Sequence, residues 1–275
     1  MSPLLIGQII TLIAYLLAAR FVWRRIRHLQ ENPEALISRA PAAVTASAGL
    51  LVHLLTLYLV LFQHEALQLG LSTAVSLVGA VIVFLYLLTY TRMPVDNLGL
   101  LLLPAVALSV LGQIVWPGSE VSIETTPPAT LHIAVSLIAY GLLAIAATQG
   151  ILLLIQERQL RKHHPGGFLR TLPPLQTVES LMFQLIWIGF AMLSMTLLSG
   201  MFFSEELFGQ PFRFNHHIII GLAGWVVFAV LLLGRWRLGW RGKVAALWTL
   251  GGFALLMLAY FGTKFVLEVI LHRVS

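Results

Sequence analysis

Residues 214–273 read FNHHIIIGLAGWVVFAVLLLGRWRLGWRGKVAALWTLGGFALLMLAYFGTKFVLEVILHR. Two apolar runs, roughly 217–234 and 244–267, are each long enough to cross a bilayer core of about 30 Å at about 1.5 Å per helical residue. Between them stand Arg235, Arg237, Arg241 and Lys243. At the opposite end His216 and His217 open the first run, and Tyr260, Lys264, Glu268 and His272 accompany the close of the second. The stretch is therefore a membrane hairpin with one basic end and one histidine-bearing end. Basic residues collect on the cytoplasmic side of membrane proteins, so the histidines are expected outside. Imidazoles on the outer side of a helix bundle are candidate iron or haem ligands.

The same pattern extends through the chain. Of 275 residues 59% are hydrophobic and only 10% charged, too little polar surface for a soluble domain. Eight runs of spanning length occur, at roughly 3–23, 43–62, 71–91, 98–116, 131–155, 180–202, 217–234 and 244–267. The expected architecture is an all-α polytopic bundle of eight transmembrane helices. The short connections leave no room for a soluble domain, so residues 1–275 are expected to form a single transmembrane domain. The first run is not a cleavable signal peptide, because Arg24, Arg25 and Arg27 follow it rather than precede it.

Those arginines, with Arg39, Arg92, Arg158, Arg161, Lys162 and Arg170, fall in the connections on the same side as the turn with Arg235, Arg237, Arg241 and Lys243. The asymmetry predicts both termini outside the cytoplasm. The formal charge of +6 is then a topology signal directed at the lipid bilayer, and nucleic-acid binding is not expected. Absence of cysteine excludes a CxxCH haem attachment, a thiol relay and cysteine-ligated metal within the chain.

Further histidines sit inside the runs. His53 lies near the middle of the second, on the order of 14 Å from its outer end. Thr45, Gly49, His53 and Thr56 share one helical face. An ionisable group at that depth either serves a site or bonds to a neighbouring helix. His132 opens the fifth run, and His132, Ser136, Tyr140, Ala144 and Thr148 step by four down one face. Such a stripe faces other helices; His132 itself is either a ligand or an interfacial cap of the bundle. His28 beside Arg27 reads as a solvated residue, and His64, His163 and His164 fall in connections and read as loop residues. Glu179, near the basic end of the sixth run, reads as a solvated or hydrogen-bonded acid in preference to a buried one. Phosphate-binding glycine loops, HExxH and serine elbows are absent, so no catalytic residue is expected and the chain does not read as an enzyme.

Three long strings carry a family resemblance: LLVHLLTLYLVLF (50–62), LHIAVSLIAYGLLAIAATQGILLLIQERQLRKHHPGGFLRTLPPLQTVESLMFQLIWIGF (131–190) and GWRGKVAALWTLGGFALLMLAYFGTKFVLEVILHR (239–273). Over nearly its whole length the chain resembles the cytochrome c assembly membrane proteins of the CcsA superfamily, in the branch of YpjD and HemX. The resemblance implies a multi-pass protein of the bacterial inner membrane that binds or presents haem, of the b type, through outer-face histidines. It matches His132 and His272 to the family's two outer ligands and His53 to the intramembrane histidine of this branch. His216 matches the histidine of the branch's HK pair, with His217 in the lysine's place. Tyr140 below His132 is a neighbouring candidate, and Lys264 is a candidate partner for haem propionates.

The chain departs from the family in one respect. The tryptophan-rich WGxxWxWD segment that accompanies the outer histidines is missing, and residues 202–215 contain no tryptophan. An accessory or regulatory role of the HemX type without bound haem, small-solute transport, and an interaction subunit therefore stand as alternatives. Other cytochrome c maturation or haem-synthesis proteins are the partners that the resemblance implies. The charge asymmetry itself makes a prediction. Alkaline phosphatase fused after Ser275 should be active and a cytoplasmic reporter at the same point silent; the reverse would overturn the orientation.

Overall fold

The structure is a computed structural model and describes residues 2–32, 35–62, 67–68, 70–90, 95–117, 122–123, 126–161, 173–202, 216–262 and 265, with Leu67, Gln68, Ser122, Ile123, His216 and His217 described by their backbone alone. The described residues form eight helices: α1 (Pro3–Glu31), α2 (Ala40–Leu61), α3 (Leu71–Tyr90), α4 (Asp96–Val115), α5 (Pro127–Arg161), α6 (Leu175–Phe202), α7 (His216–Leu238) and α8 (Gly242–Met257). Counting the π-helical turn Leu258–Gly262 with α8, all eight are long and apolar enough to cross a membrane. Two-residue strands, β1 (Leu67–Gln68) and β2 (Ser122–Ile123), pair antiparallel between the α2–α3 and α4–α5 connections.

Several helices overrun their apolar runs. α1 continues through its arginines to Glu31. Its first turn is capped by Ser2, whose hydroxyl accepts from the Leu5 amide at 3.3 Å, and Pro3 supplies a φ suited to the first helical position. α6 starts at Leu175, well before the apolar run at residue 180, because the Pro174 carbonyl accepts from the Thr177 and Val178 amides and nucleates the helix directly after the Pro173–Pro174 pair. α7 and α8 are joined by a tight turn in which Gly239 and Gly242 adopt φ values of +66° and +53°, a region costly for residues with a Cβ.

α5 is the centre of the bundle. Two thirds of its most apolar window (67%) is buried, against 33–44% for the other helices, whose remaining faces are left for lipid. It packs most extensively on α6, then on α8 and α3. The run Gly141–Ala147 is buried all round, the mark of a helix enclosed by others. Close approach of α5 and α6 requires Gly189, where a Cβ would stand 2.8 Å from Leu143 Cδ2. On the amino-terminal side, α1 packs on α2 and α4, and α3 packs on α2, α4 and α5.

The basic end is closed by two buried carboxylates, each taken by two arginines. Asp96, the first residue of α4, meets Arg25 at 2.7 Å and Arg39 at 3.3 Å. These arginines flank the connection between α1 and α2, and Arg25 Nε also donates to the Ile37 carbonyl in that connection. Glu179, in the second turn of α6, accepts from Arg235 at 2.8 Å, Arg241 at 3.2 Å and the Gly242 amide at 3.1 Å. Arg235 and Arg241 flank the α7–α8 turn. Glu179 is hydrogen-bonded as expected but not solvated: it is a buried acid, because two arginines pair with it there.

A second polar link crosses the amino-terminal helices inside the apolar region. His53 of α2, 1% exposed, places Nδ1 3.1 Å from Tyr15 Oη of α1 and Nε2 2.8 Å from Ser76 Oγ of α3. One ring nitrogen donates and the other accepts, so the neutral imidazole satisfies three helices at once. Gln8, Thr11, Thr56 and Thr73 are buried on the same helices.

Both polar links lead to stability predictions. Asp96→Ala leaves Arg25, 14% exposed, without its buried partner and should destabilise by about 2–4 kcal/mol. Arg241→Ala, at a side chain 68% exposed, should cost about 0–1 kcal/mol. Thermal unfolding in detergent measures both, and equal losses would contradict the burial argument. His53→Leu should cost about 1–3 kcal/mol by stranding Tyr15 and Ser76. In a Tyr15→Phe background the loss should shrink by about 0.5–1 kcal/mol; strictly additive effects would show that the two groups are not coupled.

Candidate functional site

His132 lies one turn into α5, at the end of the bundle opposite the carboxylate clamps. Thr126 precedes the Pro127–Pro128 pair, and its hydroxyl and carbonyl take the Ala129 and Thr130 amides, so the helix begins there. The His132 Nδ1 stands 2.8 Å from Ser199 Oγ near the end of α6. Ser199 in turn donates its single hydroxyl proton to the Thr196 carbonyl at 3.0 Å. In a neutral ring Nδ1 must then be the donor, which assigns the Nδ1–H tautomer and makes Nε2 the basic nitrogen. Gly200 lies against the ring; a Cβ there would come within 3.4 Å of His132 Cε1.

The stripe below His132 packs as its spacing predicts. Ser136 Oγ donates back to the His132 carbonyl at 2.6 Å, and Thr148 does the same to Ala144 at 2.9 Å, which satisfies both hydroxyls within the helix. Tyr140 lies about 12 Å along the helix from His132. Its Oη donates to the Leu256 carbonyl at 3.1 Å, immediately before the π-helical turn Leu258–Gly262. Its ring lies 6.3 Å from that of Tyr260 and 6.0 Å from that of Phe261. The last helix thus continues into a π-turn that presents aromatic rings to α5. On the far side of α6, Trp225 of α7 donates to Ser194 at 2.9 Å and stacks on Phe190 at 5.2 Å.

His216 and His217 open α7, which runs antiparallel to α6 and so begins at the His132 end; their side chains lie outside the described residues. Lys264 and His272 lie outside the described residues altogether, as do His64, His163 and His164. His53 stands apart from His132: its partners come from α1 and α3, whereas that of His132 comes from α6. Sequence reasoning missed Ser199, Tyr15 and Ser76. Each is a hydroxyl inside an apolar run, a signal that marks a polar contact without naming its partner.

Among the described residues no three His, Asp or Glu side chains converge as a metal site. Haem does not need three, because the porphyrin supplies the equatorial nitrogens and the protein only axial ligands. An imidazole whose Nδ1–H is held by a hydroxyl and whose Nε2 is basic fits that demand.

With the geometry in place, comparison with known proteins adds ancestry. The sequence profile of the Cytochrome C assembly protein family matches residues 42–271. The inner membrane protein YpjD of Escherichia coli (strain K12) is 33% identical over 198 residues, covering 70% of this chain and 74% of YpjD. The cytochrome c biogenesis protein CcsA of Chlamydomonas reinhardtii is 27% identical over 195 residues, 67% of this chain and 54% of CcsA. Protein HemX of Brevibacillus brevis is 21% identical over 141 residues, 51% of this chain and 52% of HemX. Eight spanning helices and an inner-membrane relative give a multi-pass inner-membrane location. The match over most of its length establishes that the chain belongs to the cytochrome c assembly protein family.

Proposed function

We propose that the protein is a haem-handling factor of the inner membrane, a binding and assembly protein rather than an enzyme, with its site at the histidine end of the bundle facing outward. The observation that carries this reading is the His132 imidazole held at Nδ1 by Ser199, whose hydroxyl is also within hydrogen-bonding distance of the Thr196 carbonyl. That arrangement fixes ring direction and raises the basicity of the other nitrogen, as a hydrogen-bonded second ring nitrogen does in metal-ligating histidines. When bound, haem b supplies the iron and its four equatorial nitrogens.

The chain's own residues supply the rest. His132 would hold the iron through its imidazole. His216 or His272 would be the candidate for a second imidazole, with His217 adjacent. Lys264 is the candidate cation for a propionate. Tyr140 and its aromatic neighbours form an apolar, anchored floor between α5 and the end of α8. His53, with both ring nitrogens hydrogen-bonded, serves as a brace between helices in this reading, and stays outside the iron's coordination.

The test is haem occupancy. Purified wild type titrated with haemin should develop a Soret band. His132→Ala, and whichever of His216→Ala and His272→Ala removes the second ligand, should lower occupancy about tenfold or shift the spectrum, an effect comparable to losing a ligand or its orienting partner. Ser199→Ala should weaken binding less than His132→Ala. His163→Ala should change neither occupancy nor spectrum. Wild-type spectra in all the outer variants would make those histidines interfacial.

A further inference from the structure

Arg20, Arg24 and Arg27 of α1 are exposed and enter no ion pair among the described residues, whereas Arg25 turns into the bundle to meet Asp96. The three exposed arginines continue a seam that runs the length of the helix. Ile6, Ile10, Ile13 and Leu17, 43–50% exposed, step alternately by four and three, and the arginines carry on that step from Leu17. Trp23 beside them is exposed as well, as interfacial aromatics are. One face of α1, left open by the bundle, is thus apolar for most of its length and then cationic.

The Asp96 clamp fixes the depth of these groups. α4 begins at Asp96 and has 20 residues, about 30 Å of helix, which matches the hydrocarbon thickness of a bilayer. The 2.7 Å pair with Asp96 places Arg25 near that boundary. Along the helix axis Arg24 is then at the boundary, Arg27 about 3 Å beyond it and Arg20 about 7 Å inside it. An unpaired guanidinium on the lipid-facing side at that depth is costly, and its side chain lowers the cost by reaching up to an anion at the interface. We propose that this seam docks an anionic phospholipid. Its phosphate is drawn to Arg20 and Arg24, the rest of the headgroup lies by Arg27, and the acyl chains run along Leu17 and Ile13. A zwitterionic headgroup would bring its own cation against the remaining arginines, and a soluble anion would have to enter the hydrocarbon layer to meet Arg20. The family profile begins at residue 42, so α1 precedes the matched region, and the seam's cationic part is at the end of the bundle away from His132.

Native mass spectrometry of the full chain in mild detergent tests it, with phosphatidylglycerol, phosphatidylcholine and soluble glycerol phosphate as probes. Phosphatidylglycerol should be retained in preference to phosphatidylcholine. Arg20→Gln should weaken its retention about fivefold, and Arg20→Gln, Arg24→Gln and Arg27→Gln together on the order of a hundredfold. Arg158→Gln, at an exposed arginine of α5 at the same end of the bundle, should leave retention unchanged. The three α1 side chains are exposed, so the variants should keep the wild-type unfolding temperature without lipid; if the triple variant folds poorly, Arg20→Gln alone decides. Unchanged retention in Arg20→Gln, or an equal loss in Arg158→Gln, overturns the site. Equal retention of phosphatidylcholine overturns the lipid assignment and leaves the seam to an acidic segment of a partner protein. Displacement of the lipid by glycerol phosphate at equal concentration also overturns it and marks a soluble ligand.

Discussion

Asp96 and Glu179 each stand where a helix starts at the basic end, and each is closed over by two arginines from the two sides of a helical hairpin. A carboxylate at that depth is costly unless it is both paired and hydrogen-bonded. Arg25 and Arg39 bracket the α1–α2 connection; Arg235 and Arg241 bracket the α7–α8 turn. One acid thus fixes the end of one helix, the start of the next and the start of a third. The amino-terminal and carboxy-terminal helices use the same device. The arginines that mark topology in the sequence are, in part, the groups that lock the bundle.

With the basic end fixed, α5 connects the two sets of helices. Its all-round burial forces its polar groups to find partners on other helices or on its own backbone. Ser136 and Thr148 bond to their own helix, Tyr140 to α8 and His132 to α6. Both inter-helix bonds lie toward the histidine end. The π-turn after α8 brings Tyr260 and Phe261 against Tyr140, and π-turns of this kind are common where a helix serves a site. The histidine end is therefore built from fixed groups on two or three helices, with the proton position of His132 set by Ser199.

His53 and His132 illustrate how chemically identical side chains part ways. Both interrupt apolar runs, and the family resemblance offers both as site residues. The structure gives His53 two hydroxyl partners, one on each ring nitrogen, from the helices on either side. That arrangement holds helices together and occupies both nitrogens. His132 is held at Nδ1 by Ser199 of α6, whose hydroxyl also bonds to the Thr196 carbonyl. The difference rests on where Ser76, Tyr15 and Ser199 fall in space.

Apolar run length and the side on which arginines gather were enough to read eight helices, their order and their approximate limits, because backbone polar groups in lipid leave few alternatives to the helix. The four-residue stripe from His132 to Thr148 was legible for the same reason: helical period is a local property. Glu179 was legible as a bonded acid but not as the partner of Arg235 and Arg241, which lie 56 and 62 residues away. Nothing in the spacing of Asp96 or Tyr15 marks them as partners of Arg25 and Arg39 or of His53. Which hydroxyl meets which histidine, and which arginine meets which acid, depends on helix rotation and depth. Those are set by packing around Gly189 and along α5, and only the tertiary structure decides them, because each pairing joins residues that no sequence spacing relates.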